Sequence, residues 1–234
     1  MPPSDDRVPP SGGPPGVSGE AAPTSRNSAP LADGTAVLAS DQVRVYSRSL
    51  NAEPLRQGEI LSGVIHRRRS LRSLLPDVKP EIAEAEHPYA ILLSQDCDLE
   101  NDFKYRTEAN AEQLDDRSDK ILPSVLFCEV VTVDELVGSV PKGKDIWKRI
   151  IQNKDERYQV LEEVRPTEDA LETGIPALGI DFKRYFSIPT DELYVQLKMG
   201  ANRRSRLNNP FLEGFCSRFA HYLSRVALPR EHRV

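Results

Sequence analysis

Two short aliphatic runs constrain this fold more than any other feature: "YAILLS" at 89–94 and "SVLFCEVVTV" at 124–133. The first is a continuous apolar run, as expected of a strand buried on both faces. The second is rich in β-branched side chains, which pack well on a pleated surface. "QGEILSGVIHRRRSL" (57–71) supplies Ile60, Leu61, Val64 and Ile65 for a third strand, with Gly58 at its entering turn. "QVRVYSRSL" (42–50) alternates more weakly, and "RYQVLEEV", "ALGIDF" and "RYFSIP" read as three further strands.

Helical periodicity is confined to a few places. In "KGKDIWKRIIQNK" (142–154), Ile146, Trp147, Ile150 and Ile151 fall at helical spacing. "NNPFLEGFCSRFAHYLSRVALP" predicts a long C-terminal helix over about 208–228. Asn208 or Asn209 suits its cap, Pro210 its first turn and Pro229 its end, and Phe211, Phe215, Phe219, Leu223 and Val226 form the apolar stripe. A helical turn is expected near Asp191 to Leu197, and 100–120 reads as a polar excursion or short helix. No internal repeat is present. The mixture points to an α+β fold: a small, mostly antiparallel barrel or curled sheet decorated by helices.

Composition sets the domain limits. Residues 1–38 hold Pro, Gly, Ser, Asp and Ala with almost no bulky apolar groups, too little to offset the entropy of ordering, so a disordered tail is expected there. Residues 39–234 then form one domain, with the strand-bearing core over about 42–190. The formal charge of −5 gives no overall pull towards nucleic acid or anionic lipid. No apolar stretch approaches the roughly 20 residues that cross a bilayer. The N-terminus opens on prolines and acids, so no signal peptide is expected. Cys97, Cys128 and Cys216 are widely spaced, which fits a reducing cytoplasm and neither a disulfide framework nor a zinc ribbon. Catalytic triads, P-loops and dinucleotide glycine fingerprints are absent, and no cofactor is implied.

Three clusters carry possible chemistry. Asp96, Cys97 and Asp98 stand at the end of an aliphatic run. On an extended strand the two carboxylates would point the same way and share a cation or a proton. The structural alternative is that Asp98 caps a following turn or helix while Cys97 packs inward. His66 with Arg67, Arg68, Arg69 and Arg72 forms a basic strand end able to grip phosphates, because each guanidinium offers paired donors. No aromatic interleaves it as a stacking platform, and a solvated turn is the commoner outcome. "NRRSRL" (202–207) puts Arg203, Arg204 and Arg206 ahead of the last helix, where pairing with acidic loops such as Asp115, Asp116 and Asp119 or plain solvation is expected, and a second phosphate contact is the alternative.

"GEI" at 58–60, "HPYAILLS" from His87 and "PSVLFCEVVT" (123–132) together resemble the strands of PemK/MazF-type toxins. That family folds as SH3-like barrels with a C-terminal helix, commonly dimerises, and cleaves single-stranded RNA without a metal through a motif Arg and a strand-end Thr. The resemblance puts Pro88 at the motif Pro, Thr132 at the Thr, Glu59 where Asp is usual, and His87 where the catalytic Arg belongs. A His can serve as general acid or base but lacks the permanent charge and paired donors of Arg. Two function classes follow from the resemblance. One is a binding or regulatory module that has lost catalysis, with a protein partner from the same toxin–antitoxin or phage-defence operon. The other is a metal-independent endoribonuclease using His87 and Thr132, with Arg67–Arg69 around the phosphate. Metal binding through Asp96, Cys97 and Asp98 is a third reading. "LSQDCDL" (93–99) is also similar to a signature of uncharacterised bacterial proteins, which implies no activity.

Overall fold

A computed structural model describes residues 43–225 except 71, 73–75, 78, 109–114, 116–117 and 141–142. The expected tail at 1–38 lies outside these residues, as do Val226 and Pro229. Among the described residues the fold is mixed α/β, with one seven-stranded sheet and five α-helices. The strands are β1 (Tyr46–Arg48), β2 (Glu59–Arg69), β3 (Ile82–Leu92), β4 (Ser124–Thr132), β5 (Tyr158–Leu161), β6 (Leu178–Pro189) and β7 (Asn202–Leu207). Their spatial order is β1-β7-β2-β3-β4-β6-β5, and every neighbouring pair is antiparallel. The helices are α1 (Asp96–Glu108), α2 (Val133–Ser139), α3 (Lys144–Ile151), α4 (Thr190–Met199) and α5 (Phe211–Leu223).

The two aliphatic runs become adjacent strands at the centre, with Tyr89 opposite Val130 and Leu92 opposite Phe127. Their continuity has a simple cause. Side chains alternate across a strand, and both faces of this sheet are covered. Ile60, Ile91, Cys128 and Phe182 enter one core, under Phe215 and Phe219 of α5. Their neighbours Leu61, Ala90 and Phe127 enter a second core with Leu99 of α1 and Leu193 of α4. A third, smaller cluster packs Leu136 and Ile150 of α2 and α3 on Tyr158 of β5.

Several expectations are corrected. "ALGIDF" and "RYFSIP" are one strand, β6, whose register against β4 shifts between Cys128 and Val130. Cys128 faces Tyr185 and Val130 faces Ile180, so four residues, Asp181–Arg184, stand opposite Glu129 alone. This bulge breaks the alternation and mimics a strand boundary. Helix α5 is shorter than 208–228, and only the middle of its stripe is buried: Phe215 and Phe219 lie inside, Phe211 and Leu223 are exposed. A four-residue step overshoots a 3.6-residue turn by about 40°, so a stripe of such steps rotates off the core at both ends. Asn208 does not cap the helix with its side chain, which bonds to Ser47 and Arg44 of the β1 region instead.

"NRRSRL" is the largest correction. It is strand β7, between β1 and β2, and Arg203, Arg204 and Ser205 are buried. Glu59 takes Arg203 Nε at 2.5 Å and Nη2 at 2.9 Å, while Asp169 takes Arg204 Nε and Nη2 at 2.7 Å each. Arg204 is the extra residue of a bulge, since Ile60 faces Ser205 and Leu61 faces Arg203. Consecutive arginines thus reach separate buried carboxylates, and Arg206 pairs with Glu53.

Beyond Ser62 strand β7 no longer accompanies β2. The side chain of Gln196 on α4 takes over there, accepting from Ile65 N and donating to Ile65 O, both at 2.8 Å. One half-buried position of this edge is thereby satisfied without another strand.

Candidate functional site

The β3·β4 ladder ends at Tyr89 and Val130. His87 lies two residues beyond it on one strand and Thr132 two residues beyond it on the other, so both flank the same end of the ladder. On β2, Val64 faces His87 and His66 faces Ala85. On β6, Phe186 follows the bulge and faces Phe127. These registers gather an aromatic cluster: His87 stacks on Phe186 with centroids 4.2 Å apart, His66 stacks on Phe186 at 4.8 Å, and the two imidazoles are 6.1 Å apart.

His87 is only 6% exposed, and neither ring nitrogen makes a hydrogen bond. Its Nδ1 stands 3.6 Å from Glu129 Oε1, beyond hydrogen-bond reach but close enough for charge to act. Arg184 Nη1 donates to Glu129 Oε2 at 2.9 Å from within the β6 bulge. His87 first, and Arg184 with it, holds the Glu129 carboxyl down to about 2, against the burial that opposes ionisation. For His66 the shift is downward, because burial and the neighbouring His87 both disfavour its cation. Glu129 and Arg184 also line a cavity of about 220 Å³ with Glu135 and Asp181 under α2. Asp181 is itself engaged by Arg157 at 2.7 and 2.5 Å.

Thr132 is the N-cap of α2. Its hydroxyl accepts from Glu135 N at 3.3 Å and donates to Glu135 Oε2 at 2.9 Å, and Glu135 Oε2 also accepts from Thr132 N at 2.9 Å. This reciprocal capping box satisfies otherwise unpaired groups of the first turn.

The basic strand end divides. Arg67 Nε pairs with Glu84 across the β2·β3 ladder at 2.8 Å, and Nη1 pairs with Glu192 of α4 at 2.6 Å. Arg68, Arg69 and Arg72 are exposed and make no ion pair among the described residues. His66 turns into the aromatic cluster and so stands apart from them.

Asp96, Cys97 and Asp98 do not end a strand: they are the first turn of α1. On a helix, positions two apart diverge by about 200°, so the shared orientation expected of the two carboxylates is lost. Asp96 Oδ1 accepts from Gln57 N at 2.7 Å, and Cys97 is exposed rather than packed inward. Among the described residues, no three His, Cys, Asp or Glu side chains gather as a metal ion would need.

Glu129, Arg184 and Phe186 were not singled out by sequence. Glu129 did leave a signal, as a lone carboxylate within "LFCEVV" that demands a partner. Arg184 and Phe186 left none, because only the bulge turns them to the same place. No family model, no curated protein and no solved structure matches this chain.

Proposed function

We propose that this chain is a PemK/MazF-like binding or regulatory protein that does not cleave RNA and acts on a protein partner from its own toxin–antitoxin or phage-defence operon. One observation carries the reading: the groups that the resemblance would assign to cleavage are already committed. His87 is enclosed in an aromatic cluster, Thr132 is tied into a capping box, and Arg67 is held by two carboxylates. An SH3-like barrel core is part of the proposal. It draws support from all seven strands feeding one core and from the Tyr46 hydroxyl, which donates to Glu162 O at 2.9 Å from the opposite end of the strand order. Co-expression with the product of the adjacent gene tests the reading. A stoichiometric complex that persists through size exclusion is expected. A chain that elutes alone and degrades single-stranded RNA would overturn it.

The endoribonuclease reading has one observation in its favour. His87, Glu129 and Arg184 form an imidazole–carboxylate–guanidinium array at the end of the ladder that Thr132 flanks. Arg184 would supply the permanent charge that His87 lacks. Under that reading both His87→Ala and Arg184→Ala lose cleavage.

A further inference from the structure

A cavity of about 390 Å³ lies away from His87 and Thr132, between α1, α4, the segment entering β2 and the start of β7. Its volume falls in the range of small-ligand sites. Leu55 and Leu197 give it an apolar lining, with the rings of Phe103 and Tyr194 beside them. Leu55 is fully buried, and the Tyr194 hydroxyl is turned to Asp102 at 3.3 Å, which leaves the ring's apolar body to the lining.

The charges on this lining do not balance evenly. Arg203 is 7% exposed and reaches the cavity. Of its five N–H donors, two go to Glu59 and two to the carbonyls of Glu53 and Pro54, which leaves one on Nη1. Glu53, the carboxylate on the lining, pairs with Arg206 at 3.5 Å. Lys198 on the last turn of α4 makes no ion pair or hydrogen bond among the described residues. A cavity with an apolar floor therefore carries a spare donor on the buried Arg203 and, at its exposed edge, an ammonium unpaired among the described residues.

We infer that this cavity binds a small carboxylic acid with an aromatic or aliphatic body. The body lies against Leu55, Phe103, Tyr194 and Leu197, and the carboxylate meets Lys198 and the remaining Arg203 donor. Cations are disfavoured by Lys198, and a neutral amide forfeits the charge-assisted contact.

Titration of the full chain, followed by NMR, with naphthylacetate, naphthylacetamide and naphthylmethylamine tests this. Saturable binding is expected for the acid, about tenfold tighter than for the amide, with none for the amine. Lys198→Gln should bring the acid to the level of the amide. Ala201→Leu fills the chamber and should abolish binding of both, and Leu197→Trp serves the same end should Ala201→Leu fail to fold. The inference is overturned if the acid does not saturate, if the amine binds as well, if Lys198→Gln leaves the preference intact, or if binding survives in a folded, filled variant.

Discussion

Asp169 and His87 are both buried polar residues, and their surroundings give them opposite prospects. Asp169 is fully enclosed, yet it accepts from Arg204, Leu171, Thr173 and Gly174. Burial alone would raise its pKa, but Arg204 and these donors outweigh it and bring the carboxyl from 3.8 down to about 2. A carboxyl lowered by folding contributes its full stability above its unfolded value and loses it as pH falls through the folded one. Urea unfolding should therefore show about 2 kcal/mol lost over this acid window. Asp169→Asn should remove that acid dependence and cost about 3–5 kcal/mol at neutral pH, since Arg204 stays buried without its counter-charge. His87 has no hydrogen bond to lose. A phenyl ring suits its stack with Phe186 and removes two unsatisfied nitrogens, which offsets the support lost by the Glu129 carboxylate, so His87→Phe should leave stability within about 1 kcal/mol of the wild type. A fall of more than about 2 kcal/mol in thermal or urea unfolding would mean that the imidazole is satisfied in solution.

Helix α2 and strand β6 meet at Gly179, where an added Cβ would lie 2.6 and 2.8 Å from Leu136 side-chain atoms. Gly179→Ala should cost about 1–3 kcal/mol by displacing α2, with thermal unfolding as the readout. The fault should stay local, because Leu136 belongs to the small third cluster rather than to the two main cores. The same element shows what could be read in advance. The apolar stretches of β2, β3 and β4 announced themselves because burial on both faces leaves few polar positions within them, α3 and the middle of α5 followed from periodicity, and a helical turn was expected within α4. Strand β7 stayed hidden because three arginines in six residues look solvated until Glu59 and Asp169, distant in sequence, are brought beside them. The break in β6 misled for a related reason: a bulge is a property of two strands, and a single strand carries no sign of it. Of the candidate site, His66, His87 and Thr132 were legible as residue types, while their engagements depend on register.

At the scale of the molecule, charge pairing and enclosure dominate over open chemistry. The basic arm of β2 lies against the acidic arm of β3, with Arg67 facing Glu84 and Ile65 facing Glu86, so the arginine run is partly neutralised within its own ribbon. No helix among the described residues is long and apolar enough to cross a membrane. The two buried arginine pairs, the capping box and the ring cluster all fix the sheet and its helices, and each takes up a side chain of the kind a nuclease would need free. Incubating the purified full-length chain with single-stranded RNA of mixed sequence, beside its His87→Ala variant, is the most direct measurement. Intact RNA with both proteins is expected. Endonucleolytic fragments from the wild type that vanish with His87→Ala would contradict it.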